Sequence, residues 1–297
     1  MTDVPNQPST GLTRSNLTRS PTSPRTLFST VMTVLAFVCG VLALLPLLAV
    51  LSYVLIQGFS SLNLSIFTDL PPVAGQLQGG GFGNAIIGTL IMVGIGTVIS
   101  IPVGVLAAIY LTEFSSKEIA RWIRFATNVL SGVPSIIAGV FAYAVVVLTT
   151  HGFSATAGGF ALAILMLPII VRTTDEALQL VSQDLRQAAV GLGATNFQTV
   201  TQVVLPAAIP AIVTGATLSI ARAAGETAPL LFTAQFNQYW STTLFQPTAS
   251  LAVLVYQFAT SAYENQQSIA WAASLILVLL VLLTSIIARW ATSRKIQ

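Results

Sequence analysis

From about residue 28 onward the chain is written in long apolar runs separated by short polar stretches. A helix that crosses the hydrocarbon core of a bilayer needs roughly 20 mostly apolar residues. Six runs read as such spans: about 28–57, 82–112, 125–148, 154–171, 205–234 and 270–290. Lipid offers no partner to backbone N–H and C=O groups, so each run is predicted as an α-helix. The first run follows Arg25, as the core of a signal peptide would. It is far longer than the usual core of about 7–15 residues, and no small-residue cleavage site follows it, so it reads as an uncleaved anchor. The predicted fold class is an all-α polytopic membrane protein with six transmembrane helices.

Composition agrees. Hydrophobic residues make up 54% of the chain and charged residues only 7%, against about 25% charged in soluble domains; mean hydropathy is +0.83. A net charge of +3 would suggest nucleic acid in a soluble protein, but the distribution of charge gives it a different meaning. Arg14, Arg19 and Arg25 precede the first run. Lys117, Arg121 and Arg124 lie between runs two and three, and Arg172 and Arg186 between runs four and five; Arg289, Arg294 and Lys295 close the chain. In a six-span topology these eleven of the twelve Lys and Arg residues share one side. Short loops rich in Lys and Arg stay in the cytoplasm, which places both termini and the 113–124 and 172–204 loops there, and no nucleic acid is called for. Trp122, Tyr239, Trp240, Trp271 and Trp290 stand near span ends, as interfacial aromatics do. Residues 1–27 are rich in Ser, Thr, Pro and Asn and predict a disordered cytoplasmic tail. The transmembrane body is expected over 28–291 and a short cytoplasmic tail over 292–297.

Several features carry no chemistry. Cys39 is the only cysteine, which excludes an internal disulfide and a cysteine metal cluster. His151 has no neighbours suited to a metal, so no metal site and no catalytic residue are expected. Neither lysine, Lys117 or Lys295, sits in a GxxxxGK[ST] loop, so the chain lacks that ATP-binding motif. In the second run, Gly88, Gly96, Ser100, Gly104 and Ala108 form a small-residue face suited to close helix packing.

The segment 175–215 is the most informative. Leu178, Val181, Leu185, Ala188 and Leu192 repeat at helical spacing and predict a short amphipathic helix. Gly191 and Gly193 are placed to end it in a left-handed turn, and Thr195 with Gln198 has the spacing of a capping box for the next helix. By its pattern this is either an amphipathic connection or a docking surface for a soluble partner.

Its spacing resembles a motif of ABC-importer permeases: E-A-A, three residues, G, nine residues, I, any residue, L-P. Here Gln187-Ala188-Ala189, Gly193, Val203, Leu205 and Pro206 keep every spacing, with Gln for Glu and Val for Ile. Within those permeases the chain resembles the phosphate-specific PstA family, through GGGFGNAIIGTL (79–90), PVGVLAAIYLTE (102–113), SGVPSIIAGVF (131–141) and ARAAGETAPLLFT (221–233). The resemblance implies the type I importer permease fold in a bacterial inner membrane. It also implies a coupling role for Gln187, Ala188, Ala189, Gly193, Leu205 and Pro206. The implied partners are a homologous second permease, a dimer of ATP-binding subunits that hold ATP and Mg, an external phosphate-binding protein and membrane lipid. No cofactor would be bound by this chain.

Two charges remain. Arg222 and Glu226 lie inside the fifth apolar run, where an ionised side chain costs on the order of 2.5–3.5 kcal/mol on insertion scales. At i, i+4 spacing they can pair, with Pro229 expected to loosen the helix one turn beyond Arg222. Two readings stay open: a structural pair, or the lining of a phosphate path in which Arg222 binds the anion. Arg172, after Pro168, is either a second path residue or a positive-inside anchor. Other oxyanions as cargo, and a stand-alone transporter or channel, remain as alternatives.

Overall fold

The computed structural model describes residues 24–293. Among the described residues ten α-helices follow in order, with a short 3-10 helix (Leu64–Phe67) between the first two: α1 (Pro24–Ser60), α2 (Gly83–Phe114), α3 (Lys117–Ser131), α4 (Ser135–Thr150), α5 (Ala155–Gln179), α6 (Gln183–Gly191), α7 (Asn196–Ala224), α8 (Ala228–Thr233), α9 (Leu251–Ala259) and α10 (Glu264–Ser293). Of the two expected tails, residues 1–23 and 294–297 lie outside the described residues; Pro24 and Ser293 are already helical.

Five helices, α1, α2, α5, α7 and α10, are long and apolar enough to cross a membrane. The third predicted run differs from expectation. It is no continuous helix: α3 and α4 meet at a bend of 100°. Gly132-Val133-Pro134 makes it. The N–H groups of Gly132 and Val133 fold back onto the carbonyls of Val129 and Leu130, and Val133, preceding a proline, is turned away from helix. Pro134, extended at ψ 135°, starts α4. α3 is two-faced, with Lys117, Arg121, Arg124 and Asn128 on one side and Ile119, Trp122, Ile123 and Leu130 on the other. Such a pattern suits a boundary rather than a hydrocarbon interior. A sixth span exists only if the bent pair is counted as one.

The chain divides into two units, residues 1–52 and 53–297. The described part of the first is helical and exposes apolar side chains on all sides, as a helix surrounded by hydrocarbon does. In the second unit, the last turns of α1 pack on α10. Tyr53 and Trp271 meet edge to face at 5.0 Å, and Gly58 sits where a Cβ would come within 2.7 Å of Leu275 Cβ.

The centre of this unit is α2 lying along α5, and the expected small-residue face makes the contact. A Cβ on Gly96 would press on Leu162, one on Gly104 on Ile170, and one on Gly88 would collide with the Ala249 carbonyl. Four apolar clusters lie along and around this seam, a small one of Ala108, Leu111 and Val171 being on the seam itself. Leu178, Val181, Val204, Ala208 and Ile212 fill the end near α6. Met92, Leu162, Met166, Ala223, Leu230 and Val253 fill the middle, and Phe82, Leu251, Leu254 and Phe258 fill the opposite end. There Thr89 Oγ1 accepts the Leu251 N–H at 2.8 Å, starting α9. Wide turns of five residues interrupt α2 (110–114), α4 (143–147) and α7 (200–204); an inserted residue of this kind rotates the side chains beyond it and recurs at functional sites.

Gly104→Leu is expected to destabilise by about 1–3 kcal/mol through overpacking. Gly94→Ala, with no atom within 4 Å of the added carbon, should stay within about 0.5 kcal/mol of the parent. Thermal unfolding of the purified protein in detergent measures both.

Candidate functional site

α7 ends where the charge pair lies. The helix breaks one turn beyond Arg222, where Pro229 was expected to loosen it, but the break is a complete helix end rather than a loosened turn. Gly225 closes α7, its N–H turning back to the Arg222 carbonyl at 3.1 Å, and the Glu226 N–H reaches the Ala223 carbonyl at 3.2 Å. Pro229 instead falls in the first turn of α8, where its missing N–H is no loss. α8 is held firmly: Gly139 of α4 lies against Pro229, and Gly158 of α5 against Leu230 and Ala234. Arg222 therefore stands on the last turn of one helix and Glu226 in the gap before the next.

The pair forms, but loosely. Arg222 Nε donates to Glu226 Oε1 at 3.4 Å, longer than the usual 2.7–2.9 Å or so of a charge-assisted bond. The arginine side chain is 58% exposed and the glutamate 15%. The terminal guanidinium nitrogens have no partner among the described residues, so their donors point outward unengaged. One turn back, Ser219 Oγ reaches the Met166 carbonyl at 3.5 Å, and Ala223 packs in the central cluster with Leu162 and Met166. The charge pair is thus level with the middle of the helical bundle.

Arg172 is not brought to this place. Its Nε donates to Glu176 at 2.9 Å, both side chains are well exposed, and the pair lines a polar cleft with Arg124, Thr127, Asn128 and Gln179. No contact joins it to Arg222 or Glu226.

At the α6 end the predicted helix, turn, helix is present with one change. The stripe from Leu178 to Leu192 is divided between two helices, because α5 runs on to Gln179 and Ser182 caps a new helix, accepting the Leu185 N–H. Leu178 and Val181 are buried in the bundle. Leu185 on α6 and Leu192 at its C-cap stay exposed, and Phe197 joins them from α7. Gln187 and Ala188 are also exposed and Ala189 is buried. α6 ends in a left-handed glycine, Gly193 at φ +89°. The Gly193 N–H reaches the Val190 carbonyl and the Ala194 N–H the Ala189 carbonyl, the pairing that closes helix C-termini on such a glycine. Gly191 is the last helical residue and takes no part in that turn. The Thr195–Gln198 capping box is complete, with both reciprocal bonds present. Leu205 and Pro206 lie on α7 just past its wide turn.

Two ion pairs at this end were invisible to sequence reasoning. Asp175 accepts Arg124 Nε and Nη2, each at 2.8 Å, together with Thr112 Oγ1 and Gln179 Nε2. Arg186 Nη1 donates to both oxygens of Glu113 at 2.7 and 2.6 Å. Their partners are 51 and 73 residues apart, so no local spacing signals them.

Gly193→Ala should cost about 1–2 kcal/mol, the penalty of a left-handed L-residue, and raise amide hydrogen exchange over 183–199. Gly191→Ala, with open space around the added carbon, should leave that exchange unchanged.

Residues 100–297 match the family described as binding-protein-dependent transport system inner membrane component. The phosphate transport system permease protein PstA of Yersinia pestis is 42% identical over 240 residues, covering 80% of this chain and 81% of that protein. The PstA of Pasteurella multocida is 40% identical over 266 residues, covering 89% and 94%. Among solved structures, a chain of the inward-facing MetNI methionine ABC transporter aligns with a TM-score of 0.55 at 22% identity, over 71% of this chain and 93% of that one. A chain of a bacterial alginate ABC transporter in complex with an alginate-bound periplasmic protein aligns at 0.64 and 14%, over 93% and 98%. The helices therefore adopt the ABC-importer permease fold, and the chain belongs to the PstA family of binding-protein-dependent inner-membrane permeases.

Proposed function

We propose that this chain is the permease subunit of an ATP-driven phosphate importer and supplies half of the translocation path. The observation that carries this is Arg222, an arginine with unengaged donors at a helix break midway along the bundle, in a chain of the PstA family. This protein builds its closed pairs differently: Arg124 and Asp175 are bidentate at 2.8 Å. A purely structural role for Arg222 would call for similar closure.

The chemistry follows from the two side chains. Arginine's planar fork stays charged at any working pH and matches phosphate oxygens. Glu226, anchored on one side by Arg222 Nε, keeps an oxygen able to accept the hydroxyl of a protonated phosphate. Sulfate has no proton at neutral pH and would meet only repulsion there, so the pair selects as well as binds. Arg172 and Glu176 lie farther along, toward the α6 end, as an exposed pair at which the anion leaves.

A homologous second permease closes the path against the exposed face of Arg222. Two copies of an ATP-binding subunit hold ATP and Mg, and one of them docks on the exposed Gln187, Ala188, Leu185, Leu192 and Phe197 of this chain. Ala189, Gly193, Leu205 and Pro206 set the position of that surface. An external phosphate-binding protein delivers the anion at the opposite end. Both termini and α6 face the cytoplasm, as the basic residues direct, and hydrolysis belongs to the partner subunit.

Phosphate uptake into proteoliposomes that hold the full complex tests the reading. Arg222→Gln should lower uptake at subsaturating phosphate by at least about tenfold, since a hydrogen bond to a charged group is worth about 1.5–3 kcal/mol, while assembly and ATP hydrolysis persist. Unchanged uptake would return the pair to a structural role. Glu226→Gln should narrow the preference for phosphate over sulfate in the same assay; an intact preference removes the selectivity role.

A further inference from the structure

The helix bearing the ATPase-facing surface is tied to the bundle by one polar side chain. α6 has nine residues, of which only Ala189 is buried. Among the described residues, Arg186 alone gives α6 side-chain hydrogen bonds to the rest of the bundle. Its Nη1 holds both oxygens of Glu113 at 2.7 and 2.6 Å, and its Nη2 donates to the Leu178 carbonyl at 2.8 Å. One guanidinium thus joins α6, the end of α5 and the end of α2. Arg186 is 15% exposed and Glu113 8%, so the contact is largely shielded from water.

Glu113 reaches Arg186 because of the wide turn at 110–114, closed by the Ser115 N–H on the Tyr110 carbonyl at 2.9 Å. Thr112, its neighbour, points to a different partner and donates to Asp175 at 2.7 Å. Asp175 in turn holds Arg124 of α3. Consecutive residues of one turn therefore grip α6 on one side and the α5–α3 junction on the other. Beyond α3 the chain bends into α4, whose Gly139 bears on Pro229 of α8, next to Glu226. A buried ion pair seldom adds net stability over apolar packing of the same volume, so stability alone is a poor reason to keep one here.

We infer that Glu113 and Arg186 are positioning residues of transport: they make α6 move as one body with the ends of α2 and α5, so that motion imposed on α6 reaches the bundle instead of bending its flanking turns. This rests on the reading of the chain as an ATP-driven permease. Neither residue contacts Arg222 or Glu226.

The test uses the full complex, with ATP hydrolysis and phosphate uptake measured in the same proteoliposomes. In Glu113→Gln, hydrolysis should persist while phosphate moved per ATP falls about tenfold, within the usual range of coupling between sites. Arg186→Lys, which keeps a charge near Glu113 but loses the planar fork, should fall between this and wild type. The double variant Glu113→Gln/Arg186→Gln should be no worse than the weaker single variant, as expected of residues acting as a pair. Hydrogen exchange over 183–191 should quicken in Glu113→Gln without change along the α2–α5 seam. A proportional fall of uptake and hydrolysis, unchanged coupling, or failure of both single variants to assemble would overturn the inference. If the wild-type complex moves no phosphate, the functional reading fails instead, and the exchange measurement, which needs no substrate, still decides whether the pair fastens α6.

Discussion

Each ionised group in so apolar a chain must be matched by a partner, by water or by cargo, because hydrocarbon offers nothing in return. The structure meets this requirement in different ways at different places. Arg124 with Asp175, and Arg186 with Glu113, are short, multiply bonded and partly or largely shielded. Arg172 with Glu176 is an exposed pair within one helix, a type that contributes little to stability. Arg222 with Glu226 is long and leaves the guanidinium open. In the reading proposed above, that last arrangement, level with the middle of the bundle, is completed by water or the transported anion.

The backbone around Arg222 is arranged to keep it open. A continuous helix would set Glu226 directly over Arg222 at the spacing where such side chains pair well. The break at Gly225 moves the glutamate into the gap between helices and draws the pair apart, to 3.4 Å. α8 cannot drift to restore the contact, since Pro229 and Leu230 are packed against small residues of α4 and α5. The same close packing of glycines sets the α2–α5 seam, so one device serves both the frame and the site.

Much of this was legible in the sequence. Five spans followed from run length, and the packing face of α2 followed from its small residues. The turn after α6 followed from Gly193 and the Thr195–Gln198 box, because caps are local chemistry. The fold of α3 and α4 was misread because apolar content over 125–148 masked the turn at Gly132-Val133-Pro134, and hydropathy is blind to direction. The break one turn beyond Arg222 was anticipated from Pro229, but not that it is complete, with Gly225 closing one helix and Pro229 opening the next. The Glu113–Arg186 and Arg124–Asp175 pairs lay beyond reach, since they exist only once helices distant in sequence are brought together.

The most direct test of the central claim asks whether position 222 meets water in the assembled complex. The natural chain has one cysteine, Cys39, so Cys39→Ser with Arg222→Cys gives a single thiol at the site. Reaction with a charged, membrane-impermeant thiol reagent, at a rate that changes between nucleotide-free and ATP-bound complex, is the predicted result. A thiol at 222 that stays unreactive in both states, while a thiol placed at exposed Leu77 reacts, would mean that Arg222 faces lipid or packed protein, and the account of an anion path there would be wrong.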